Sequence, residues 1–214
     1  MAPSFLSQRV WRLAGLGLAV PVSVPASRLR AEVPTSISPI RTPLFGRVQG
    51  LLFAARYDTA STIAYNELGF GILARAQGRI GFFPLRLWVD SEDSRRGGLE
   101  LWGLVKEIAT FDWQVDNERM DVRVSGTLGS LVSMSAHRKP AGFGLPFWFP
   151  CMSSRTLGGI VRWSVRSRSV LSRPAASVEI PTSSPLSTYG MNIRSRGWAL
   201  DPLDLAVFVP QETT

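Results

Sequence analysis

From Val48 to Ser125 the chain is written in short runs rich in aromatic and β-branched residues: Val48 to Tyr57, Glu67 to Ala76, Ile80 to Val89 and Met120 to Ser125. Glycine, asparagine, aspartate and serine separate them, the punctuation expected between strands. Later segments alternate as half-buried strands do. Met120, Val122 and Val124 share a face opposite Asp121 and Arg123, and Val161, Trp163 and Val165 oppose Arg162, Ser164 and Arg166. Beyond the piece from Ala26 to Val33, no helix-length amphipathic period stands out. A chain built this way must close its sheet or shield its edges, so the pattern predicts a mostly β protein: an antiparallel β-barrel or a pair of wrapped sheets.

With 214 residues, 45% hydrophobic and 19% charged, the chain can bury one sizeable core, and a single domain over residues 1–214 is expected, frayed at 1–8 and 211–214. No internal repeat is present. The formal net charge of +8 points to an anionic substrate or a membrane surface as readily as to nucleic acid. No basic run or nucleic-acid-binding motif accompanies it, so no nucleic-acid partner is expected. One cysteine, Cys151, allows no intrachain disulfide, and one histidine, His137, leaves no zinc site of the usual kind. A serine triad would have to use His137 and finds no Gly-x-Ser-x-Gly elbow. His137 reads as a strand-end surface residue and Cys151 as a small core residue. Gly15-Leu16-Gly17 and Gly69-Phe70-Gly71 lack phosphate-cradle and dinucleotide spacing, so neither cofactor nor metal is expected.

Two segments admit two readings each. Arg9, Arg12 and the apolar stretch from Leu13 to Ala26 imitate a signal peptide with Val24-Pro25-Ala26 as cleavage site, yet the stretch also reads as a first strand. It is too short and too proline-broken to span a membrane, so no stable membrane insertion is expected, and the strand reading implies a cytoplasmic protein. The aromatic segment between Pro140 and Pro150 is either a core or subunit-interface plug, or a lid over a pocket mouth that brings Trp148 to the substrate.

The chemistry concentrates elsewhere. Tyr65-Asn66-Glu67 is followed by Leu87-Trp88-Val89-Asp90-Ser91 and then by the segment from Gly98 to Glu107, which sets Lys106 among Trp102, Leu104 and Val105 with a carboxylate upstream. These segments, in this order, resemble the acetoacetate decarboxylase superfamily, whose members carry a Tyr-x-Glu segment, a similar strand end and a Gly-Arg-Glu-x-x-x-x-Pro-Lys-Lys segment. The resemblance is carried by the stretch from Val48 to Gly126 and is loose in the carboxyl half. It implies a cone-like antiparallel β-barrel with a few short helices (mostly β, α+β), a Schiff-base lysine at Lys106 and an active-site glutamate at Glu67, with Tyr65, Trp102 and Leu104 beside the substrate. It further implies that the amine owes its reactivity to its surroundings, apolar walls or a neighbouring cation that disfavour the ammonium form. It also implies a homo-oligomer.

Two departures qualify the inheritance. The second lysine of the family's pair is Glu107 here, and an extended segment would turn it away from Lys106. The arginine that meets the substrate carboxylate falls on Leu16, with Arg12 nearby but out of register. An apolar Leu16 suits a larger, less charged ligand than acetoacetate. Three functions remain: Schiff-base chemistry on a β-keto or related carbonyl compound, in a setting such as secondary metabolism; cavity-based cyclisation of a polyketide or polyene without covalent catalysis; and non-catalytic binding of a hydrophobic ligand.

Overall fold

The computed structural model describes residues 4–42, 45–138, 142–144, 146–155 and 159–210. Its main elements are β1 (Val10–Pro25), β2 (Arg47–Tyr57), β3 (Tyr65–Ala76), β4 (Arg79–Val89), α1 (Glu92–Trp102), β5 (Thr110–Val115), β6 (Arg119–Gly126), β7 (Gly129–His137), β8 (Phe147–Ser154), β9 (Ile160–Ser167), β10 (Ala176–Glu179) and β11 (Trp198–Phe208). Seven of the strands close into a ring in the order β1, β2, β3, β4, β8, β9, β11 and back to β1. Every neighbour is antiparallel except β4 and β8, which meet in parallel at Phe82 and Cys151. Closure leaves no free edge within the ring, which answers the constraint that a chain of strands imposes.

The other sheet runs β10, β7, β6, β5 and covers the outside of β1, β2 and β3. Its apolar face, with Met120, Val122, Val124, Val132 and Met134, shares one buried cluster with Leu18, Val20, Leu52, Leu68 and Phe70 of the ring. The ring strands are therefore apolar on both faces: alternate residues point to this core, and the rest face the interior of the ring. That is why Leu13 to Ala26 reads so continuously apolar; it is the strand β1. Gly15 interrupts it with a bulge at φ 151°, where a Cβ would stand 2.0 Å from the Arg56 carbonyl oxygen.

Several expectations are revised. The Ala26 to Val33 piece makes only a 3-10 turn, Ala26–Leu29, while the one α-helix among the described residues, α1, lies where no helical period was evident. Ser91 caps it by accepting from the Ser94 N–H, Glu92 and Asp93 sit in its first turn, and Gly103 ends it in the left-handed conformation at φ 67°. Of the residues expected to fray, 1–3 and 211–214 lie outside the described residues, but Phe5 is buried and its carbonyl accepts from the Trp11 indole at 3.0 Å. Of the aromatic segment near residue 145, read as a plug or a lid, Phe147 and Phe149 line the ring's interior and Phe143 stands at its rim. Phe147–Ser154 is a wall strand of the ring, and Phe143–Gly144 pairs with Val170–Ser172, while Lys139 to Ala141 and Leu145 lie outside the described residues. No helix among the described residues is long and apolar enough to cross a membrane.

Candidate active site

The ring encloses a cavity of about 850 Å³, lined almost wholly by apolar side chains. Its two ends differ. At one, Trp11, Trp102 and Phe5 pack edge to face, with ring centroids 5.0 and 5.7 Å apart, and close the ring. At the other, Leu73, Ile80 and Phe143 line the cavity yet stay largely exposed, which makes this end the mouth.

Lys106 lies at the closed end. The loop after α1 carries it there: the Leu104 N–H donates to the Gly98 carbonyl at 2.9 Å, and the chain then joins Trp88 through the short strand Glu107–Ile108. The residue is 8% exposed, and its ammonium donates to Glu67 Oε1 at 2.8 Å and to Ser94 Oγ at 3.1 Å and lies 5.2 Å from the centroid of the Tyr65 ring. Tyr57 completes the cluster by donating to Glu67 Oε2 at 3.2 Å. Burial first and the Glu67 charge second push the Tyr57 and Tyr65 phenols well above their ordinary range, so both remain neutral donors at any physiological pH.

The local sequence explains the geometry. Tyr57 pairs with Tyr65 and Ala55 with Glu67, so Tyr57 and Glu67 are diagonal neighbours on the inner face of β2 and β3. Asp90 accepts from the Asn66 backbone at 2.7 Å and from its amide at 2.6 Å, tying the end of β4 to the start of β3. Next in the chain, Ser91 starts α1 and brings Ser94 under Lys106. Gly97 and Gly98 let the helix approach: a Cβ would lie 2.6 Å from the Trp11 ring at the first and 2.7 Å from Lys106 Cε at the second. Gly98→Ala is therefore expected to displace the lysine while helix propensity improves by about 1 kcal/mol. Thermal stability should hold, and reaction of Lys106 with a carbonyl reagent should fall roughly tenfold or more, because oriented reactions are steep in distance. Unchanged reactivity would show that the lysine tolerates a shifted stem.

Glu67, Lys106, Tyr65, Trp102 and Leu104 all line the one cavity. Leu16 and Trp148 do not. Leu16 is on the other face of β1, inside the core against the second sheet, and Trp148 points out of β8, 60% exposed, while its neighbours Phe147 and Phe149 face in. Val105 is 76% exposed and contributes nothing to the surroundings of the amine. Glu107 faces away from Lys106, as an extended segment requires, and Arg86 holds it at 3.7 Å. Among the described residues no arginine lines the cavity. Arg12 is exposed on the outer face, Arg162 donates to the Ala76 carbonyl and to Gln77, and Arg166 stacks on Phe208, so none of them replaces the missing clamp. Cys151 lines the cavity as a buried thiol, raised by burial. Sequence reasoning missed Tyr57 and Ser94. The clues were a tyrosine at each side of one hairpin, Tyr57 and Tyr65, and the cap sequence from Ser91 to Ser94. Among the described residues no group of three or more His, Cys, Asp or Glu side chains stands together as metal ligands do.

Comparison with known proteins agrees with this architecture. The chain resembles acetoacetate decarboxylase from Legionella pneumophila, with a TM-score of 0.65 at 17% identity over 94% of this chain and 86% of that one. An acetoacetate decarboxylase-like enzyme from Sphingomonas wittichii superposes at 0.64 with 15% identity, covering 98% and 94%. The enduracididine biosynthesis enzyme MppR, complexed with pyruvate, superposes at 0.63 with 13% identity, covering 92% and 88%. No curated protein matches by sequence. At these identities the structural likeness carries the fold alone. The family model described as acetoacetate decarboxylase matches residues 7–157, which include every member of the Lys106 cluster, and the chain belongs to that family.

Proposed function

We propose that this protein is an acetoacetate decarboxylase-like lyase that takes a β-keto or related carbonyl compound, other than acetoacetate itself, as a Schiff base on Lys106. The observation that carries the reading is the seat of the amine: buried at the closed end of an apolar cavity, with a carboxylate at 2.8 Å and a hydroxyl at 3.1 Å. Only a neutral amine attacks a carbonyl. Glu67 takes the ammonium proton along the existing hydrogen bond, and the nitrogen lone pair forms a bond to the carbonyl carbon. The carbonyl oxygen gains two protons in turn, one passed from the attacking nitrogen and one returned by Glu67, and leaves as water as the C=N bond forms. The protonated imine then accepts the electron pair of a bond breaking one carbon away, so that carbon dioxide, for example, departs and an enamine remains. Protonation of the enamine at carbon and hydrolysis return the amine. Tyr57 keeps Glu67 aimed at the nitrogen, and Ser94 holds the nitrogen from the other side.

MppR, with its pyruvate, supports carbonyl compounds as a ligand class for this fold and a biosynthetic setting. The lone cysteine, a buried free thiol, suits the reducing cytoplasm. The outward-facing Trp148 suits a homo-oligomer. A second reading, non-covalent binding or cyclisation of a hydrophobic ligand, draws on the cavity's apolar lining. Borohydride treatment in the presence of a ketone separates the two. The expected result is a reduced adduct mapped to Lys106 and absent from Lys106→Ala. An adduct that persists in that variant, or none in the unaltered protein, would overturn the Schiff-base reading.

A further inference from the structure

The cavity is far larger than a small keto acid needs, and it is long in one direction. Along β3, Glu67 lies at the closed end and Leu73 at the mouth, six residues apart on the same inward face. At about 3.3 Å per residue the interior is roughly 20 Å long. The neighbouring strands repeat the gradient. On β1 the lining runs from Trp11 and Leu13 to Pro21, and on β2 from Tyr57 to Leu51, with Pro21 paired to Leu51 and Leu51 to Gly71. The polar lining residues other than Gln49, namely Tyr57, Tyr65, Glu67 and Lys106, gather at the closed end. Between the ends, Gly69 and Gly71 leave the inner face of β3 without side chains, and the rings of Phe53 and Phe82 lie across them, 2.2 and 2.4 Å from where a Cβ would stand. The tunnel is thus paved with flat aromatic surface instead of being filled.

We infer that the cavity takes an elongated carbonyl compound, with its carbonyl at Lys106 and an apolar tail along Phe53, Leu51 and Phe82 to the mouth at Leu73 and Ile80. This inference rests on the imine reading of Lys106 and names its substrate class. An extended chain advances about 3.3–3.6 Å per three bonds, so a tail of roughly 17 atoms spans the interior. Most of that length would leave water for apolar walls, which makes recognition cumulative in chain length.

A ladder of methyl ketones, from about five to about fifteen carbons, tests this by borohydride trapping at equal concentration, with intrinsic tryptophan fluorescence reporting binding separately. Trapping at Lys106 and fluorescence-monitored affinity are both expected to rise at least roughly tenfold along the ladder, in keeping with burial of successive methylene groups. Leu51→Trp, at a half-buried strand position on the tunnel wall, should narrow the tunnel and bring the long ketones down toward the level of the short ones. Trapping independent of length in the parent, or a length dependence that Leu51→Trp leaves intact, would overturn the elongated-substrate inference and leave the imine reading standing. Adducts with no ketone of any length would overturn the imine reading. In that case a length-dependent fluorescence change would still uphold the tunnel as the tail site, and a flat one would overturn it.

Discussion

Glu67→Leu lowers stability by about 3–5 kcal/mol, because it leaves the Lys106 ammonium buried without its counter-charge. In a chain of this size that is a fall in Tm of roughly 6–20 °C. The magnitude follows from the position of the pair: both residues are 8% exposed, so neither can turn to water when its partner is lost. Tyr57 adds to the loss, since its hydroxyl gives up the acceptor it has at 3.2 Å. Glu67→Gln keeps an acceptor for Tyr57 and Lys106 and should fall between the parent and Glu67→Leu. Adding Lys106→Met to Glu67→Leu removes both charges in favour of apolar groups of similar shape, and should restore most of the loss. Thermal or urea denaturation of the two single variants and the double variant closes the cycle. If the double variant loses the sum of the single losses, the two groups do not act as a buried pair.

Acetoacetate is expected to be turned over poorly. Among the described residues the cavity its carboxylate would enter has no arginine in its lining, and Lys106, the one cation among them there, is already bound to Glu67 at 2.8 Å. The charge-assisted contact that a clamp would supply contributes roughly 1.5–3 kcal/mol, more than tenfold in binding. An unpaired carboxylate in apolar surroundings costs several kcal/mol more, so the combined deficit is about a thousandfold or larger. Acetone release from acetoacetate by the parent should lie within about tenfold of that by Lys106→Ala, the residual expected when binding is this weak. Rapid, lysine-dependent release would mean that a cation outside the cavity lining reaches the substrate.

The strand runs between Val48 and Ser125 and a closed or wrapped antiparallel sheet were legible in the sequence because strand runs are local signals, and the pairing of Lys106 with Glu67 was legible through the family resemblance of three motif segments. What failed was the choice of face. β1 is apolar on both sides, so alternation cannot say whether Leu16 or its neighbours look inward, and the bulge at Gly15 adds a shift that only the folded pairing reveals. Phe147, Trp148 and Phe149 pose the same problem in β8: three aromatics in a row carry no period-two signal, and the middle one faces out. The helix α1 escaped for a different reason. Gly97 and Gly98 are poor helix formers and blur its apolar stripe, yet both are there because Trp11 and Lys106 occupy the space their side chains would fill. Local propensity yielded to packing at the position where the lysine is seated.

If Lys106 is the reacting amine and the tunnel holds the tail, as proposed, bond chemistry and shape selection fall on different stretches of the same strands. Tyr57, Tyr65 and Glu67 occupy the ends of β2 and β3 that meet the helix, while Leu51, Leu73 and Ile80 occupy the opposite ends, roughly 20 Å away. Residues that far apart and without shared partners contribute almost independently to free energy. A lineage carrying this fold can therefore drift in what it accepts, one mouth residue at a time, while the amine and its proton acceptor stay as they are. Diversification of substrate within such a scaffold needs no rebuilding of its reactive end.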